Sequence, residues 1–186
     1  MIDIFGNFYK GKKVLITGHT GFKGSWLSIW FQELGAEVVG VGLAPYSEKD
    51  NFVLSGIGKR IKADIRADIR DGEKMKQIFA EYQPEIVFHL AAQPRVRLSY
   101  EQPVETYQTN VMGTINIMEA IHATKSVKVG VMITTDKCYD NKEQLKGYVE
   151  TDPFGGYDPY SSSKGACEIA IQSCRRSFFN PEDYGN

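Results

Sequence analysis

Cysteine is scarce: three in 186 residues, an odd number with no CxxC pair, so neither a disulfide framework nor a zinc clasp is expected, and reduced thiols are. Cys167 and Cys174, seven apart, share one face of any helix that holds both. Basic excess is also missing. The 22 Lys and Arg against 23 Asp and Glu give a net charge of −1, which leaves no field to attract a phosphate backbone, and no nucleic-acid partner is expected. No apolar run approaches membrane-spanning length, and the opening MIDIFGNFYKGKK lacks the basic segment and apolar core of a secretion signal. No membrane association and a cytoplasmic location are therefore expected. Linkers and low-complexity tracts are absent, and the tandem ADIR of KADIRADIRD is too short to be an architectural repeat. What remains, 42% hydrophobic and 24% charged residues, is the composition of one globular domain. A domain of this size buries roughly 70% of its unfolded surface.

Apolar, β-rich runs alternate with segments of helical period: KVLITG, then 22–34, EVVGVGL, then 71–82, EIVFHLAA, then 104–124, VKVGVMITT, then 160–178. That alternation predicts an α/β fold, a doubly wound parallel sheet with helices on both faces. The runs 14–16, 38–41, 86–88 and 127–133 are nearly continuously apolar, as strands covered on both sides should be. In the first helix, Phe22, Trp26, Leu27, Trp30, Phe31 and Leu34 form one apolar stripe, and Gly35 supplies a left-handed stop. In the helix over 71–82, Asp71 is the expected cap, Met75, Ile78, Phe79 and Tyr82 the buried stripe, and Pro84 stands just past the end.

Gly18, Gly21 and Gly24, in GHTGFKG, lie between the first strand and the first helix. There glycine lets free backbone amides and the positive helix end approach a diphosphate. An ATP-type phosphate loop is excluded, because Lys23 precedes Gly24 where that loop needs lysine after glycine. His19 and Lys23 either add positive charge beside the diphosphate or point to solvent. The second strand ends GVGLAP, without the acid that holds an adenosine ribose and without an arginine for a 2'-phosphate. His89 reads as a packed strand-end residue and His122 as a surface or helix-dipole residue. Tyr160 and Lys164, four apart in YSSSK, share a helix face. An adjacent ammonium favours the phenolate, which makes such a pair a proton relay. The last apolar run exits into Thr135, Asp136 and Lys137, at the carboxyl edge where doubly wound sheets place their chemistry.

The glycine spacing of three, the tyrosine and lysine opening the helix after the fifth strand, and the runs TGHTGFKGSWL, EIVFHLAAQPRVRLSYEQPVETYQTNVMGT, TDKCYDN and GGYDPYSSSKG together resemble the extended short-chain dehydrogenase/reductases. Within them the resemblance is to the sugar-nucleotide 4,6-dehydratases, and Lys137 in third place resembles the branch acting on CDP-glucose rather than on dTDP-glucose. The resemblance implies a Rossmann-type domain over residues 1–186 and NAD held by Gly18, Thr20, Gly21, Phe22, Lys23, Gly24, Asp68, Ile69, Leu90, Ala91, Ala92, Tyr160 and Lys164. It implies catalysis by Thr135, Asp136, Lys137, Tyr160 and Lys164, a nucleotide-sugar substrate, a role in deoxyhexose and O-antigen synthesis, and a homodimer through helices 104–124 and 160–178. Asn110 resembles the superfamily's structural asparagine, against the alternative of a helix-surface residue. Lys137 either acts as a base in its neutral form or stabilises an enolate. A sugar-nucleotide epimerase or reductase, and a cofactor-binding chain without turnover, are the other readings. The chain is expected to stop before the last strands and the substrate lobe of that family, leaving its fifth strand as a bare edge.

Overall fold

The computed structural model describes residues 4–180 and residue 182, so the readings of the first three residues and of the extreme tail lie outside the described residues. Five parallel strands run in the order β3-β2-β1-β4-β5, with β1 at Lys13–Thr17, β2 at Glu37–Gly42, β3 at Ala63–Arg66, β4 at Ile86–His89 and β5 at Val129–Met132. The strand order reverses between β1 and β4, where Thr17 registers with His89. In doubly wound sheets the ligand crevice lies at such a reversal, beyond the carboxyl ends of the two strands.

Side chains alternate across β1 because successive strand residues point to opposite faces. Val14 and Ile16 pack with Phe31, Leu34, Val38 and Ile86 beneath α1 (Phe22–Glu33). Leu15 joins Val39, Val41, Met75, Phe79, Val87 and Ile117 on the other face, under α3 (Gly72–Tyr82) and α6 (Gly113–His122). Between β2 and β3 lies a short helix, α2 (Asn51–Ser55). Helices α4 (Val96–Glu101) and α5 (Pro103–Tyr107) follow β4. A π-helical turn, Gln108–Met112, joins α5 to α6. The last helix, α7 (Pro159–Phe178), is twenty residues long.

Two expectations change. The stripe on α1 divides: Phe31 and Leu34 are buried, whereas Phe22, Trp26 and Trp30 are 77%, 54% and 48% exposed. The face against the sheet carries Gly24, Ser25 and Ser28 instead, because small side chains let the helix start sit close to the strands. The run 127–133 reads as doubly covered, yet among the described residues β5 pairs with β4 alone, at the edge of the sheet, and Val129 is 46% exposed. Asp71 does cap α3, accepting from the Lys74 amide at 2.9 Å, and Gly35 adopts φ +82°. Cys138, Cys167 and Cys174 are free thiols.

Candidate active site

The glycine loop is closed below and open above. Gly18, at φ +72°, lies so near the β4 exit that a Cβ there would meet the Ala91 nitrogen at 2.8 Å, and a Cβ on Gly24 would meet the Gly18 oxygen at 2.1 Å. Gly21, which opens α1, would bring its Cβ near only the Gly18 oxygen, at 3.3 Å. Its outer side is bare, as are the exposed Phe22 and Lys23. The buried Thr20 hydroxyl is turned toward Gly42, so what Thr20 offers a ligand is backbone.

His19 does neither of the two things expected of it. Its ring is fully buried against Gly40 of β2, and Nε2 meets Asp64 of β3 at 2.7 Å. Burial holds its pKa below the usual imidazole value, against the pull of Asp64. An arginine does stand near the tip of β2, on the neighbouring strand, but it is held by an acid. Arg66 registers with Gly42, pairs with Asp64 at 2.8 Å and lies over the Phe52 ring at 5.1 Å. Sequence spacing along β2 could not show a residue that the sheet supplies sideways.

Asp68 and Ile69 follow β3 as expected, with different exposures. Ile69 is core, packed where a Cβ on Gly113 would strike its Cδ1. Asp68 binds Arg70 at 2.6 Å. Burial alone would raise its pKa, but the Arg70 hydrogen bonds outweigh that and lower it.

The floor of the crevice is a hydrogen-bonded chain that the sequence did not disclose. The Thr17 hydroxyl accepts from the Leu90 and Ala91 amides at 3.1 and 3.2 Å. Its own proton therefore goes to His89 Nδ1, at 2.7 Å. His89 Nε2 then donates to Thr114, 3.0 Å away, which donates to the Asn110 carbonyl at 2.6 Å. Fully buried, His89 is kept neutral, its pKa pushed down to about 3 by desolvation and by Lys164. Asn110 is buried within the π-helical turn. Its side chain accepts from the Gln93 amide at 2.8 Å and donates to the Gln93 carbonyl at 3.1 Å and to Ser163 at 2.9 Å. It ties the β4 exit to α7, which removes the surface alternative.

Asp158 starts α7, accepting from the Ser161 amide at 3.0 Å and its hydroxyl at 2.6 Å. Gly156, at φ +150°, brings its backbone against Ser162, where any Cβ would lie 2.2 Å from nitrogen. These contacts set the start of the helix, and Tyr160 and Lys164 are buried one turn apart. Lys164 Nζ donates to the Ile133 carbonyl at 3.4 Å. Its pKa is lowered by burial, with Cys167 and Glu168 opposing and Lys23 adding to the fall. The phenol is not eased toward phenolate as expected. Burial raises the pKa of Tyr160, the Thr135 hydroxyl offsets part of this, and Asp136 and Asp158 add to the rise. Thr135, Asp136 and Lys137 leave β5 together. Thr135 accepts from the Lys137 amide and donates to Asp136 at 3.0 Å, while the Asp136 and Lys137 side chains are exposed.

The family described as GDP-mannose 4,6 dehydratase matches residues 15–181. Among curated proteins the chain is 53% identical over 184 residues to CDP-glucose 4,6-dehydratase of Salmonella typhimurium, covering 99% of this chain and 50% of that one. It is 27% identical over 175 residues to dTDP-glucose 4,6-dehydratase of Xanthomonas campestris, covering 90% and 50%. Among solved structures it resembles Thermus thermophilus UDP-glucose 4-epimerase in complex with NAD, with TM-score 0.75 and 28% identity, covering 89% and 51%. The chain spans about half the length of the curated relatives it matches.

Proposed function

Because the chain belongs to the GDP-mannose 4,6-dehydratase family, we propose that it is the cofactor-binding and proton-transfer part of an enzyme converting CDP-glucose to CDP-4-keto-6-deoxyglucose and water. What supports this reading is the Thr135 hydroxyl facing Tyr160, with Lys164 buried one turn on, within reach of Lys23 from the bare glycine cradle. Identity to a CDP-glucose enzyme at 53% supports the choice of base.

The residues present fit NAD. An open Gly21 over a closed Gly18 and Gly24 leaves a surface of backbone at the start of a 12-residue helix, suited to a diphosphate. Gly18, Thr20, Gly21, Phe22, Lys23 and Gly24 would surround that diphosphate, Asp68 and Ile69 the adenine, Leu90, Ala91 and Ala92 the path between, and Tyr160 and Lys164 the nicotinamide end. Arg66 is already engaged by Asp64, which favours an unphosphorylated ribose. When bound, NAD supplies an acceptor for the sugar C4 hydride and a donor back to C6, so it is not consumed.

The chain's own groups move the protons. Tyr160, in the small fraction present as phenolate, takes the proton of the 4-hydroxyl, Thr135 orients that oxygen, and the resulting ketone acidifies C5. Asp136 protonates the departing 6-hydroxyl. The exposed Lys137, acting as the free amine, takes the C5 proton and hands it back to C5 when hydride reaches C6. Epimerases and reductases need no acid for a leaving hydroxyl, and Asp136 supports the dehydratase over them. The setting proposed is the cytoplasmic synthesis of deoxyhexoses for a surface polysaccharide, by a homodimer joined through helices 104–124 and 160–178.

Calorimetry with NAD and product analysis after incubation with CDP-glucose or dTDP-glucose test the reading. The chain is expected to bind NAD, and the protein at its relatives' length to yield the 4-keto-6-deoxy sugar from CDP-glucose. Absence of NAD binding overturns the function. Product from dTDP-glucose in preference to CDP-glucose overturns the choice of base.

A further inference from the structure

Three consecutive residues leaving β5 engage α7 at three successive turns. The Ile133 carbonyl accepts from Lys164, the Thr134 hydroxyl donates to Glu168, and the Thr135 hydroxyl faces Tyr160. Tyr160, Lys164 and Glu168 recur every four residues and so share one helix face. The first two belong to the proposed chemistry. The half-buried Glu168 has no part in it, and its carboxylate forms no ion pair within 4 Å among the described residues.

We propose that Glu168 is a positioning residue for the Tyr160 and Lys164 pair: tethered by Thr134 one residue beyond the carbonyl that Lys164 grips, its carboxylate keeps the buried lysine an ammonium. The described residues whose charges act on Lys164 leave no other candidate for this. They are Lys23 from α1, His89 from β4, and Cys167 and Glu168 from its own helix. Lys23 repels a second ammonium, His89 is neutral, and burial keeps the Cys167 thiol protonated. Glu168 is the one carboxylate among them. Its other neighbours are Cys138, whose thiol burial also raises, and Tyr139, likewise raised by burial. Against desolvation that drives Lys164 toward the neutral amine, a fixed negative charge restores the cation. The Thr134 bond holds that charge still.

The inference rests on the proposed role of Lys164, but its test needs neither substrate nor cofactor. Isotope-labelled lysine in the 186-residue chain, with the Lys164 signal identified by its loss in Lys164→Arg, gives the titration midpoint of Lys164 by NMR. Glu168→Gln keeps an acceptor for Thr134 and loses the charge, and the midpoint is expected to fall by about one pH unit. Glu168→Asp restores a carboxylate at shorter reach and is expected to fall between the two. Thr134→Val keeps the charge but frees it, and a smaller fall than with Gln is expected. A midpoint in Glu168→Gln equal to or above that of the native chain overturns the proposal. Should the Gln variant not fold, an unchanged midpoint in Glu168→Asp does so. Neither result touches the product assay, and a failed product assay leaves the titration standing.

Discussion

A single methyl group separates two kinds of glycine in the phosphate loop. Gly24→Ala drives a Cβ to 2.1 Å from backbone oxygen, which no side-chain rotation relieves. It is expected to lower stability by about 3 kcal/mol, in the range of overpacked sites, read as a fall in the urea midpoint. Gly21→Ala meets one atom at 3.3 Å, so the fold should hold while calorimetry shows NAD binding lost. The contrast separates a glycine needed by the chain from one needed by a ligand. His89 carries the second prediction. Its folded pKa of about 3 lies below the ordinary value of 6.5, so the unfolded chain binds the extra proton and stability falls as pH drops from 6.5 toward 3. Between pH 7 and 5 the native chain should lose about 2 kcal/mol more than His89→Asn, measured by urea unfolding at both values. Equal losses would show that the ring is not held neutral. The glycines were legible because backbone approach demands them in the sequence itself. The His89 chain was not, because Thr17, Thr114 and Asn110 meet it only through strand register and helix packing.

Elements carry their own signals when those signals are local. The Asp71 cap, the Gly35 stop and the α7 start under Tyr160 were read from a few adjacent residues, and each stands where it was read. Asp158 satisfies an amide in the first turn of α7, and Asp158→Ala should cost about 1 kcal/mol. The same change should raise hydrogen exchange in that turn. Where the signal is not local, reading fails. Apolar residues on α1 recur at helical spacing, but spacing does not say which way the helix faces, and Ser25 and Ser28 turned to the sheet instead of Trp26 and Trp30. The π-helical turn at Gln108–Met112 has no composition of its own. It is legible only as the packing that places Asn110 between Gln93 and Ser163.

On the scale of the molecule, the faces left uncovered are apolar. Val104, Tyr107 and Met112 on the α5 to α6 run, with Ile169 and Phe178 on α7, are exposed. If they pair two copies, sedimentation should give a dimer, and Val104→Glu should shift it to monomer with a urea midpoint that no longer depends on protein concentration. A monomeric native chain would refute the pairing. The sheet is legible in the alternation of runs. The place of β5 at an edge of the described sheet was legible only from the family likeness, since composition alone reads 127–133 as a covered strand. The registry of Thr17 with His89 also has a consequence in time. The two residues are 72 positions apart in the chain, and no strand of the sheet pairs with its neighbour through a short turn. At about 5–20 residues per second of synthesis, the loop after β1 leaves the ribosome roughly 4–14 s before the strand that forms its floor. Through that interval Gly18 has no Ala91 backbone beneath it. The nascent chain therefore passes through a stage in which the phosphate cradle has been made but cannot yet close.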